Sequence, residues 1–193
     1  MKLLALRSLF LIALLSQQPA SLEDPDAYGV YNALIPFNWL LRDAHATELL
    51  IQSTTEADSS WYKECAPSGS DLTGPWLEAL ADFKAQNKTA KLLAARFSLP
   101  VSYRFESKDT IFAFFSSPQS GHWDAFHAAY PKARGFIQLS AVGFDKARER
   151  AIVYIAHSCG GLCGQGGYAF LQKTPDGWRG ARLKDVNTCM WNS

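Results

Sequence analysis

The run His157-Ser158-Cys159-Gly160-Gly161-Leu162-Cys163-Gly164-Gln165-Gly166-Gly167 constrains the fold of this chain more than any other segment. Its eleven residues hold two of the four cysteines, one of the four histidines and five of the thirteen glycines. Strand-like residues precede it at 151–156 and follow it at 168–173. The run therefore reads as a tight connection between two strands, with glycine supplying backbone conformations that other residues resist.

The N-terminus has the layout of a secretory signal peptide. Lys2 and Arg7 supply a positive start, and residues 8–15 are apolar apart from Ser8. Such a core falls within the roughly 7–15 residues of a signal h-region and short of the about 20 needed to span a membrane. Small residues around Ser16-Gln17-Gln18-Pro19-Ala20-Ser21 place the cut between Gln18 and Ser21, so that 1–20 is signal peptide and 21–193 a single α+β domain. The alternative is an uncleaved N-terminal helix or anchor. No cysteine lies near the cut, which argues against a lipid anchor there. Losing Lys2 and Arg7 from 19 basic residues leaves 17 against 18 acidic ones. That near-neutral balance gives no sign of a nucleic-acid partner, which usually shows as a basic excess, and no other segment is apolar and long enough to cross a membrane.

Four cysteines behind a signal peptide favour disulfides, with three possible connectivities. The preferred one joins Cys159 to Cys163 and Cys65 to Cys189. Cys159 and Cys163 flank a three-residue hairpin loop, which would set their Cα atoms about 4.5–5.5 Å apart. Loop-closure entropy assigns about 2 kcal/mol to this short bridge and about 5 kcal/mol to the long one.

Helices are expected early. One covers 26–34, with Asp24 or Asp26 as cap, Pro25 near its first turn and Pro36 ending it. Another covers 75–86, with Pro75 at its start, Trp76, Leu77, Leu80 and Phe83 at helical spacing, and Asn87 at its end. Residues 91–97 read as a helical turn, and 109–115 and 123–130 as two further helices. Strands are expected at 48–54, 100–105, 136–144, 151–156, 168–173 and in part of 180–191, with 58–74 a surface loop. Thr174-Pro175-Asp176-Gly177 is a strong turn signal. The expected class is α+β, with N-terminal and central helices packed on a mainly C-terminal antiparallel β-meander. Asn87-Lys88-Thr89 also matches a glycosylation sequon.

Several blocks, in order, resemble a family of uncharacterised bacterial secreted proteins. They are Asp82-Phe83-Lys84-Ala85-Gln86-Asn87, Arg96-Phe97-Ser98-Leu99-Pro100-Val101, Tyr130-Pro131-Lys132-Ala133-Arg134-Gly135, Leu139-Ser140-Ala141-Val142-Gly143-Phe144, and Ala151-Ile152-Val153-Tyr154 leading into Cys159-Gly160-Gly161-Leu162-Cys163-Gly164. The resemblance covers a little over half of the chain. It implies a secreted or envelope protein with this cysteine hairpin, and it carries over no catalytic residue.

The candidate chemistry centres on the same loop. His157, Cys159 and Cys163 are zinc-type ligands, but they number three, and a fourth would have to come from His122, His127 or Asp145. A disulfide beside a surface histidine is the favoured reading, so no metal is expected. A Cys159 nucleophile with His157 as base is conceivable, since side chains two apart on a strand point the same way. Redox dithiols, however, use Cys-x-x-Cys at a helix start. Gly164-Gln165-Gly166-Gly167 opens a strand rather than the helix a phosphate loop needs. Asp124 and His127, three apart on a helix, can touch, whereas His122 lies on another face. Of the six tryptophans, Trp61 in a polar loop and Trp191 near the terminus are the candidates for an exposed stacking surface.

The leading expectation is a secreted or periplasmic, disulfide-stapled binding protein without a cofactor, engaging an envelope component or a protein partner. The alternative is a small hydrolase or thiol-dependent enzyme using the His157–Cys163 loop. A purely structural envelope component is a third reading that the sequence does not separate from the first.

Overall fold

The computed structural model describes residues 19–37, 47–57, 65–116 and 122–193. The signal-peptide core, Trp39, Trp61 and the first part of the 58–74 loop lie outside the described residues. Within them the chain forms four α-helices and ten strands.

The first helix, α1 (Pro25–Leu34), starts where its local chemistry dictates. Asp24 is the cap: its backbone is extended and its carboxylate accepts the Asp26 N–H at 3.0 Å, which satisfies an amide that the helix leaves without a partner. The following Ile35–Phe37 turn is 3₁₀. The second helix, α2 (Pro75–Gln86), covers the expected residues and ends at Asn87, whose N–H bonds to the Phe83 carbonyl. The remaining helices are α3 (Lys108–Ala113), capped by Ser107 through the Thr110 N–H, and α4 (His122–Ala129).

Strands β1 (Ser21–Leu22) and β3 (Leu92–Leu93) form a parallel pair of their own. This corrects the helical turn expected at 91–97. The Leu92 N–H bonds to the Ala20 carbonyl and the Leu93 N–H to the Ser53 carbonyl, both at 2.9 Å. A segment this short cannot offset helix nucleation by itself, so two distant partners decide its conformation.

The main sheet contains β2 (Glu48–Gln52), β4 (Ser102–Glu106), β5 (Phe136–Leu139), β6 (Gly143–Phe144), β7 (Arg150–Ser158), β8 (Gly164–Thr174), β9 (Gly177–Gly180) and β10 (Trp191–Asn192). Its order is β10-β8-β7-β5-β2-β4, with β6 also paired to β7 and β9 to β8. The C-terminal strands are antiparallel, as expected. On the other side β2 runs parallel to both β4 and β5. The single strand expected at 136–144 is two short ones, β5 and β6, both paired with β7. Only the two ends of 180–191 are strand, in β9 and β10.

Both faces of the sheet are covered. Along β7, Ala151 and Val153 belong to the core under α1, together with Tyr28, Val30 and Tyr31, while Ile152, Tyr154 and Ala156 belong to a second core under α2, with Trp76, Leu80 and Phe83. A third cluster joins Leu50 and Phe136 of the sheet to Ile111 of α3 and Phe126 of α4. Double coverage explains why β7 reads as an unbroken apolar run rather than an alternating one. The α2 helix comes unusually close to the sheet at Gly143, where a Cβ would stand 2.2 Å from the Phe83 backbone nitrogen.

Candidate functional site

The glycine-rich run is a β-hairpin. β7 and β8 pair from Arg150↔Gln172 to Ser158↔Gly164. Beyond them the Cys159 N–H bonds to the Cys163 carbonyl at 2.8 Å, and the Cys163 N–H to the Gly160 carbonyl at 3.3 Å. The two cysteines form a disulfide with Cα atoms 5.1 Å apart, and Cys65 pairs with Cys189 at 5.9 Å. The tip carries Leu162, which is 92% exposed.

The glycines act differently from the expectation. None of those at 160–167 is among the positive-φ residues, so the turn does not depend on a left-handed backbone. The β8 glycines instead leave room for the C-terminal strand. A Cβ on Gly164 would stand 2.5 Å from Ser193 Oγ, one on Gly166 would stand 2.5 Å from Trp191 Nε1 and 2.8 Å from Tyr154 Oη, and one on Gly167 would stand 2.9 Å from Met190 Cγ. Trp191 pairs opposite Gly166 and donates its indole N–H to the Tyr154 hydroxyl at 2.8 Å.

His157 is not a surface residue. It sits inside β7, opposite Ile137 and Gln165, and is 5% exposed. The reason is the double coverage of β7, which leaves no solvent face at that position. Burial holds its imidazole below the ordinary value of 6.5 because a charged ring there would lose hydration. Cys159 and Cys163 are bridged, and no cysteine of the chain is free, so a thiolate nucleophile or thiolate metal ligand would first require reduction. Among the described residues no group of three or more His, Cys, Asp and Glu can hold a metal ion.

The other candidates are dispersed. Asp145 accepts the Glu149 and Arg150 N–H groups at 2.7 Å each and so closes the turn between β6 and β7. His127 stacks on Trp123 at 5.7 Å and meets the Phe126 ring edge-on, and among the described residues no ion pair joins it to Asp124. His122 takes φ 46° at the start of α4. Trp76 and Trp178 are buried and Trp123 and Trp191 half-buried, so Trp191 is a packing and hydrogen-bonding residue more than an open stacking surface. The Asn87 amide donates to the Phe83 and Ala141 carbonyls and its oxygen accepts the Ala141 N–H. A side chain so engaged, and 5% exposed, does not present a glycosylation acceptor in the folded chain.

Sequence reasoning missed a buried carboxylate. Glu56, 7% exposed, continues the line of β2 and bridges to Ser140. Its carboxylate accepts from Gln52 Nε2 at 2.8 Å, Gln138 Nε2 at 3.0 Å and Lys108 Nζ at 3.0 and 3.1 Å. Its charge adds a smaller push to the Tyr154 hydroxyl, which burial raises first. Residues 52, 56, 108 and 138 share no sequence spacing that would join them: the side-by-side register of β2 and β5 brings Gln52 and Gln138 together, and α3 supplies Lys108.

No family model, no curated protein and no solved structure matches the chain.

Proposed function

We propose that this chain is a secreted or periplasmic binding protein, held in shape by disulfides and acting without catalysis on an envelope component or a protein partner. The observation that carries the reading is that all four cysteines are consumed in two bridges. Such pairing belongs to oxidising compartments. The signal-peptide layout and the resemblance to bacterial secreted proteins point the same way. Among the described residues no helix is long and apolar enough to cross a membrane. The groups that an enzyme would need are committed elsewhere: the hairpin thiols to each other, Asp145 to a turn and the Glu56 carboxylate to three side chains.

The test is the non-reduced intact mass of the exported protein after treatment with an alkylating agent. The expected result is loss of the N-terminal segment, no alkylation and a mass four hydrogens below that of the thiol form. Free, alkylated Cys159 or Cys163 in the exported protein would overturn the reading and reopen the thiol-dependent alternative.

A further inference from the structure

A cavity of about 230 Å³ opens beside the C-terminal half of α2. One wall is a helical stripe, Leu80, Phe83, Lys84 and Asn87, continued by Lys88 just past the helix end. These positions recur at three- and four-residue spacing, so they fall on one side of the helix. The opposite wall is Ala66 and Pro67, and Tyr168 of β8 completes the floor. The Phe83 and Tyr168 rings meet edge-to-face with centroids 5.4 Å apart.

The Ala66–Pro67 wall is held from behind. Cys65, directly before it, is bridged to Cys189, and its carbonyl accepts the Tyr168 hydroxyl at 3.2 Å. The long disulfide therefore anchors the chain directly before the Ala66–Pro67 wall. Burial pushes the Tyr168 hydroxyl up to about 12, so the floor is uncharged at neutral pH. Asn87 has its amide engaged by Phe83 and Ala141.

What remains for polar recognition is Lys84 and Lys88. Both are exposed, and among the described residues neither makes an ion pair or a hydrogen bond. Among the described residues no acidic one lines the cavity. Lysines near a helix C-terminus are ordinary; these two differ in standing over an apolar, aromatic-floored hollow with no counter-charge among the described residues. A cavity of about 150 Å³ is enough for a benzene ring, so this one has room for a ring and a short arm reaching the lysines.

We propose that this cavity binds a small aromatic carboxylate, its ring against Phe83, Leu80 and Tyr168 and its carboxylate between Lys84 and Lys88. The proposal rests on the binding-protein reading and names a ligand class for it.

The test uses the mature, oxidised protein, titrated at low salt with 3-phenylpropionate and, separately, with its uncharged amide, followed by calorimetry or by amide chemical shifts. The expected result is saturable binding of the acid with Kd near or below about 1 mM and binding of the amide at least about tenfold weaker. In the Lys84→Gln/Lys88→Gln variant, which alters only exposed side chains, the preference for the acid disappears. Ala66→Phe, which fills the mouth, abolishes binding of both. The proposal is overturned if the wild-type protein shows no saturable binding, if acid and amide bind alike, or if the double-glutamine variant keeps the preference. The non-reduced mass of the same sample separates the two levels of the argument. Two intact bridges with no binding defeat the cavity alone, whereas free hairpin thiols defeat the binding-protein reading itself.

Discussion

Removing the two disulfides one at a time tests how this fold is stabilised. The Cys65–Cys189 bridge spans a sequence separation of 124 and the Cys159–Cys163 bridge one of 4. If a bridge acts mainly by shrinking the unfolded ensemble, the long one contributes about 5 kcal/mol and the short one about 2 kcal/mol. For a chain of this size each kcal/mol moves the melting temperature by about 2–4 °C. Cys65→Ala/Cys189→Ala should therefore lower Tm by roughly 10–20 °C, and Cys159→Ala/Cys163→Ala by roughly 4–8 °C. Alanine is the right replacement because Cys189 is 5% exposed in the core under α2, where a serine hydroxyl would need a partner. Urea unfolding followed by circular dichroism gives the free energies, and non-reduced mass confirms the surviving bridge in each variant. Equal losses, or a larger loss from opening the hairpin bridge, would refute the entropic argument and place the stabilisation in native-state contacts at the tip.

Two further predictions concern the hairpin strands. Gly166→Ala should cost about 1–3 kcal/mol, because its Cβ would stand 2.5 Å from Trp191 Nε1, and should shift tryptophan fluorescence as the indole leaves Tyr154. Gly161→Ala, with nothing within 4 Å of its Cβ, should stay within about 0.5 kcal/mol, so equal effects from the two changes would contradict the packing assigned to Trp191. The pH dependence concerns His157, whose folded-state pKa lies below the ordinary 6.5. Below that value the unfolded chain takes up a proton that the folded chain resists, so His157 makes stability fall as the pH drops from 6.5 toward its folded-state pKa, and its contribution is flat above 6.5. Urea midpoints taken between about pH 7.5 and about pH 5.5 should drop less in His157→Gln than in the wild type, and the same drop in both would remove His157 as the cause.

The elements legible in the sequence were those specified locally. The α2 bounds follow from Pro75, a helical apolar stripe and Asn87, and the start of α1 from Asp24 and Pro25. The hairpin was readable because its two strands and its bridge lie next to each other in the chain. The errors arose where distant partners decide. Leu92 and Leu93 are extended because Ser21 and Leu22 on one side and Ser53 and Thr54 on the other lie beside them, and nothing local marks β2 as a strand between two later ones. Glycine in a loop suggests backbone freedom, but the role of the β8 glycines depends on Trp191, two dozen residues further on. His157 looked exposed beside a polar loop because the second layer over β7 is not visible from residues 151–158. The Glu56 cluster draws on three separate segments, and no periodicity links them.

The position of β2 bears on timing. Both strands that flank it come later in the chain: Leu50 and Ile51 pair with Phe136 and Ile137, and with Arg104 and Phe105 on the other side. At about 5–20 residues per second of synthesis, on the order of ten seconds passes between the emergence of Ile51 and that of Ile137. Until Phe105 emerges β2 has no strand beside it, and its second flank stays open until Ile137 follows, because pairing over such distances waits for the later strand. A chain handed to a translocation machinery in that window is still threadable. In an exported chain, as proposed above, the Cys65–Cys189 bridge, whose loop holds β4 to β9 of the sheet but neither β2 nor β10, would form after transit and mark the moment when the molecule can no longer be drawn back through a pore.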